Sequence, residues 1–229
     1  MTEASARRRS PRGGGEQLRA DIIAAVKDLL IETDGVEAVS IRAVAQRVGV
    51  TAPSIYLHFA DKDALIDAVV SDVFAELDAA IASAAAGVST PLARLLAEGV
   101  AYVRWAVEHP EHYRVAVMQT DHTPPDVDDV IREGAFARLM ETVQECIAAG
   151  IFPPGDPLPL ALELWTSAHG VAALVIAKPY IPWGDVETLA RRALTAAGLG
   201  HAVEGLFGGD EDFEAIASWV RKRRASRQN

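Results

Sequence analysis

Apolar residues recur at helical spacing along most of the chain, and the alternation that makes strands is missing. Ile22, Val26, Leu29 and Leu30 fall on one face of a first helix, with Gly35 as its stop signal. Ser40 is placed to cap a short second helix whose inner side is Val44, Ala45 and Val48, and Gly49 supplies the permissive backbone that ends it. Thr51 is placed to cap a third. Pro53 lies in its first turn, where a missing N–H costs little, and Ile55 and Phe59 point inward. Asp61 then caps a longer helix with a wide stripe of Leu65, Ile66, Val69, Val70, Val73 and Leu77. After Gly87, Pro91 opens a helix that buries Leu92, Leu95, Leu96, Val100 and Val103 and stops at His109 and Pro110. Further helices are expected over 111–118, 127–149, 158–177, 186–197 and 211–223.

The expected fold class is therefore all-α. A three-helix N-terminal helix-turn-helix domain spans 16–62, and a larger helical domain spans 63–224. Residues 1–15 are rich in Arg, Ser and Gly and read as a disordered basic arm, and 225–229 as a tail.

Charge sharpens this picture. The net charge of −10 opposes a nucleic-acid partner until its distribution is considered. Up to Lys62 there are 9 basic and 8 acidic residues; from Asp63 to Val220 there are 8 and 24; from Arg221 onward, 5 and none. A near-neutral head on an acidic body would turn one end of the molecule toward DNA. The arm from Arg7 to Arg12 suits either a minor groove or a solubilising role, and the C-terminal basic run reads as a solvated tail.

The apolar run 92–107 is interrupted by Arg94, Glu98 and Arg104, and 160–177 by Glu163, Trp165 and His169, so neither is expected to span a membrane. A Gly-rich stretch stands where a signal peptide would carry its apolar segment, and the expected location is the cytoplasm. Cys146 is the only cysteine, which excludes an internal disulfide and a cysteine-based zinc cage; inside a helix it reads as a buried, inert thiol. Glu108, His109, Glu111, His112, Asp121 and His122 gather metal-ligating types, but solvated residues at a helix junction explain them better, and neither metal nor cofactor is expected. No Walker loop, dinucleotide fingerprint, H-E-x-x-H or G-x-S-x-G is present, and no enzyme is expected.

The informative stretch runs from Ser40 to Leu65. Two short helices joined at Gly49 are what a helix-turn-helix requires, the first bracing on the DNA backbone and the second entering the major groove. Thr51, Ala52 and Ser54 are short enough to let the second helix approach base edges. Ser40, Arg42, Tyr56 and His58 can hydrogen-bond phosphates, and Lys62 opens the long helix where its charge and free N–H groups favour one.

In Ser40, Arg42, Val44, Ala45, Gly49, Val50, Thr51, Ile55, Tyr56, His58, Phe59, Lys62 and Leu65 the sequence resembles the TetR family of transcriptional regulators. Pro53 departs from the pattern, removing a donor at a position that faces DNA. The resemblance implies a homodimer of all-helical subunits that binds double-stranded operator DNA, with a ligand-responsive C-terminal domain and, most often, repression. Trp165, His169 and Gly170 resemble the Trp-His-Gly signature of one C-terminal subgroup, and the segment from His109 to Met118 is similar to the link between the family's first two body helices. Trp105, Tyr113, Met118, Phe136, Met140, Trp165 and His169, with Tyr180 and Trp183 as outer candidates, are the expected lining of a small-molecule effector pocket. The family resemblance places the dimer interface on 158–177 and 186–197, where Ala161, Ala168, Gly170, Ala172 and Ala173 permit close approach. Two-fold symmetry implies a nearly palindromic operator. The reading is thus a sequence-specific repressor released by an unknown small-molecule effector. The alternative is a DNA-bound adaptor of the same fold that recruits a protein partner and has no small ligand.

Overall fold

A computed structural model describes residues 14–32, 36, 39–118, 134–204 and 213–226. All regular structure in them is helical: α1 Gly14–Glu32, α2 Ile41–Val48, α3 Ala52–Tyr56, α4 Lys62–Ala85, α5 Pro91–Glu108, α6 Pro110–Tyr113, α7 Gly134–Ala148, α8 Pro157–Ala177, α9 Val186–Glu204 and α10 Phe213–Ala225. The chain is all-α, as the periodicity requires. The basic arm to Gly13, Gly35, Asp121 and His122, and the first residues of the helices expected at 127 and 211, lie outside the described residues. The helix expected over 111–118 is divided into four-residue α6 and a π-helical turn, Arg114–Met118. The helix expected over 186–197 continues to Glu204.

The chain forms two compact units. One holds residues to Glu76 with those from His109 to Pro124; the other holds Leu77–Glu108 and everything from Pro125. The expected domain boundary after Lys62 falls at the start of α4, one unbroken helix whose stripe of Leu65, Ile66, Val69 and Val73 is part of the first unit's core.

In the first unit α1 packs on α2 and on α6, and α2 on α3. Ile22, Val26 and Leu30 of α1, Val44 of α2, Ile55 of α3 and Phe59 are all buried, in a core from which water is excluded. Lys27 ties α1 to α4 through Asp72 at 2.8 Å and Glu76 at 2.5 Å. Burial works against its charge, but those two carboxylates outweigh it and hold the ammonium above its ordinary pKa.

In the second unit α5 is central and packs against α7, α8 and α9, while α8 also contacts α7 and α9. Leu95, Val143, Cys146, Phe152, Ala161 and Leu164 form a core there, with Phe136 and Met140 at its margin. At the α5–α9 crossing, Gly99 lets the helices close: a Cβ there would lie 2.8 Å from Leu194 Cδ1. Cys146 is fully buried, and burial pushes its thiol up to about 11, so it is protonated at neutral pH.

Candidate nucleic-acid interface

The helix-turn-helix is built by three local devices. Ser40 Oγ accepts a hydrogen bond from the Ala43 backbone N–H at 3.2 Å and so starts α2. Gly49, at φ 76°, ends it in the left-handed region, with its N–H returned to the Ala45 carbonyl. Asp61 Oδ1 accepts from the Ala64 N–H at 2.8 Å and starts α4. Thr51 occupies the N-cap position of α3 but makes no capping hydrogen bond. Its hydroxyl pairs instead with that of Ser54 at 2.9 Å. The expected cap is thus a hydroxyl pair: Pro53 has no N–H to offer, and the Ser54 N–H donates to the Thr51 carbonyl at 2.9 Å.

Ile55, fully buried, and Phe59, at 4% exposure, anchor α3 to the unit beneath it. The Arg19 guanidinium lies 5.2 Å from the centre of the Phe59 ring. Thr51, Pro53, Tyr56 and Leu57 are exposed, and Ala52, Ser54, His58 and Lys62 are half-buried. Among the described residues, the side chains of Arg42, Tyr56 and Lys62 have no hydrogen-bond or ion-pair partner. Arg47, which is also basic and on α2, behaves differently. It pairs with Glu32 and lies 3.8 Å from Asp28, both on α1. Their mutual hydrogen bond holds the Glu32 carboxyl below its ordinary pKa and Arg47 above its own. Arg47 is a strut between helices, whereas Arg42 is available.

Sequence reasoning missed Leu57, which is 84% exposed directly after α3. An apolar side chain held in water next to short polar ones is the signal that could have found it, since a thymine methyl is one of the few apolar targets in a major groove.

The expected effector residues divide between the units. Tyr113, fully buried, belongs to the first unit through α6, and the Met118 backbone ends the π-helical turn there. Trp105, Phe136, Met140, Trp165 and His169 belong to the second. Phe136 and Trp165 meet edge to face with ring centres 5.9 Å apart, and Trp165 and His169 are separated by the same distance. Tyr102 joins them unforeseen: its hydroxyl accepts from Trp165 Nε1 at 3.3 Å and lies 3.4 Å from His169 Nδ1. Burial lowers the His169 pKa and keeps the ring neutral at pH 7. Trp183 instead closes the α8–α9 connection through the Lys178 carbonyl at 2.9 Å, and Tyr180 is 76% exposed. Among the described residues, no cluster of three or more metal-ligating side chains is present. His109 and His112 stack in parallel 5.9 Å apart.

Two family models match separate stretches of the chain. Residues 22–69 match the model of bacterial regulatory proteins of the tetR family, and residues 95–197 that of the tetracyclin repressor-like C-terminal domain. Over 55 residues, 24% of this chain, the sequence is 44% identical to the class A tetracycline repressor from transposon 1721 of Escherichia coli; the match spans a quarter of that relative's length. A protein of unknown function from Rhodococcus sp. RHA1 is similar in structure with a TM-score of 0.69 and 29% identity, over 87% of this chain and all of that one. PfmR, a TetR-family regulator from Thermus thermophilus, shares the fold at TM-score 0.57 and 20% identity, over 77% of this chain and 96% of its own. With its helix-turn-helix and its helical body each matched by a model of this kind, the chain belongs to the TetR family of bacterial regulatory proteins.

Proposed function

We propose that the chain is a homodimeric, sequence-specific DNA-binding regulator that represses transcription from a near-palindromic operator until a small-molecule effector releases it. One observation carries the reading. The second helix of the helix-turn-helix is fixed from below by Ile55 and Phe59, while exposed Arg42 and Tyr56 and half-buried Lys62 have no partner among the described residues. Side chains that can pair with phosphate are left unpaired on the face where α3 is exposed.

In this reading Ser40, Arg42, Tyr56, His58 and Lys62 position the head on the backbone. Thr51, Ala52, Ser54 and Leu57 meet base edges, and the residues around 16–62 form the DNA-binding domain. The dimer would use α8 and α9. Leu162, Trp165 and Leu174 on α8 and Leu199 on α9 are all at least 37% exposed, a density of apolar surface that a partner helix pair would cover. Among the described residues, α8 is also the one helix long and apolar enough to cross a membrane, and a third of its most apolar window is buried within the subunit. A buried inner side and a dimerising outer side account for that composition, and action on DNA places the protein in the cytoplasm. Trp165, His169 and Phe136 are the side chains of the expected effector set that are brought together, which supports the Trp-His-Gly subgroup. The family is one of regulatory proteins and PfmR among the structural neighbours is a regulator, and no catalytic turnover is expected.

Selection of bound sequences from a random DNA pool tests the reading. The expected product is an inverted repeat with half-sites about 34–36 Å apart, or a multiple of that spacing. Failure to enrich any sequence, or enrichment of a single asymmetric half-site, would overturn it. Operator binding untouched by every small molecule tried would favour the adaptor.

A further inference from the structure

Glu98, on α5 in the second unit, is 5% exposed, and the regulatory reading gives it no role. Its Oε1 accepts from the Thr142 hydroxyl of α7 at 3.0 Å, whereas Oε2 is buried with no hydrogen-bond partner. A buried carboxylate oxygen without a donor is costly, and its retention points to a donor that arrives from outside the chain. Glu98 lines an open pocket of about 300 Å³ together with Ala82, Ala85 and Val88 and with Glu141 and Thr142.

The two arginines at its rim are already engaged. Arg138 pairs with Asp78 of α4 at 3.2 Å, and Arg94 of α5 pairs with Glu145 of α7 at 2.9 Å. Three carboxyl groups, those of Glu98, Glu141 and Glu145, therefore line the pocket against two guanidinium groups, of which Arg138 is also paired with Asp78 behind it, and the excess favours a cation. The volume lies at the lower end of small-molecule pockets, which favours a small guest.

We propose that this pocket binds a small alkylammonium ion, its N–H donating to the Glu98 carboxylate, whose buried Oε2 turns toward the pocket to receive it, and its hydrocarbon lying along the alanines, and that such amines are the effector class. The effector role rests on the regulatory reading; the binding does not. Burial raises the Glu98 carboxyl to about 7, despite the Thr142 hydrogen bond and the two arginines, so near neutral pH an arriving cation displaces a proton from it.

The test is calorimetric titration of the full chain with butylammonium and 1,4-diaminobutane at pH 7, in buffers of different protonation enthalpy. Butanol and butyrate serve as the uncharged and anionic controls. One ammonium ion should bind per chain with release of roughly half a proton, since the group is about half ionised there. Glu98→Gln should weaken binding by at least about tenfold and remove the proton release, while Thr142→Ser should retain both. The wild-type proton count stands whether or not the glutamine variant folds. Absence of ammonium binding at millimolar concentration, butanol binding as well as butylammonium, or a folded glutamine variant that binds and releases protons like the wild type would overturn the site. DNA affinity measured alongside separates the two readings. Amine binding that leaves it unchanged removes the effector role and keeps the site, and a chain that binds no DNA overturns the regulator while leaving the titration to decide the site.

Discussion

Tyr56 and Phe59 are three positions apart and both aromatic, yet the first is 52% exposed and the second 4%. The end of α3 separates the roles: the chain leaves the helix after Tyr56, so that Phe59, beyond it, is buried like Ile55 while Tyr56 is exposed to water. Tyr56→Phe removes only the hydroxyl, so it should weaken binding roughly three- to tenfold, and equally on specific and random DNA. Lys62→Ala should lower the slope of log affinity against log salt by about 1. Fluorescence anisotropy over a salt series checks both, and unchanged affinity would remove the phosphate contacts from the account. Glu98 makes a prediction of another kind. Its folded-state pKa, about 7, lies above the ordinary 4.5, so the native state binds more protons than the unfolded chain between those values. Stability is therefore lost as pH rises through that window, and the penalty is complete only above it. Glu98→Gln, which cannot ionise, should stabilise the protein by on the order of 2 kcal/mol at pH 8 and change little at pH 4.5, as read by urea unfolding.

At the scale of elements, two glycines act by different physics. Gly49 sits at φ 76° with nothing within 4 Å of the position its Cβ would take, so the cost of a side chain is conformational alone. Gly49→Ala should destabilise the first unit by about 1–2 kcal/mol and Gly49→Asn by less, since asparagine tolerates the left-handed region. Gly99 is helical, and its constraint is space against Leu194. Alanine there gains helix propensity and asks only a leucine methyl to move, so it should be nearly neutral, whereas Gly99→Val should cost about 1–3 kcal/mol in thermal or urea unfolding. Much of this level was legible in the chain. Ser40, Gly49 and Asp61 announce helix ends because capping is decided within three or four residues, and the stripe of α4 follows directly from its period. Contacts between distant segments were not legible. Glu98 reads in sequence as an interruption of an apolar run, and only the arrival of Thr142 from α7 shows it to be buried. Tyr102 hides in the same run, although Trp165 and His169 on α8 converge on its hydroxyl. Tyr113 was expected beside them in one pocket; it belongs to the other unit because α6 packs on α1.

For the molecule as a whole, the proposed dimer rests on the exposed leucines of α8 and α9. Leu174 is 53% exposed on a helix whose inner side, Ala161, Leu164, Ala168 and Ala172, is buried in its own unit. Leu174→Glu should leave the helical content intact, shift the species seen by light scattering toward one subunit, and reduce operator affinity steeply, because one head alone reads one half-site. A variant that remains dimeric would move the interface elsewhere. Cys146 offers an independent view of the same body. A lone sulfur, protonated and shut inside the helical packing, cannot meet an alkylating reagent until that packing opens. The speed at which iodoacetamide is consumed thus becomes a clock for the opening of this half of the protein. It needs no engineered label, and a bound amine or a bound operator that steadies the body would be seen to slow it.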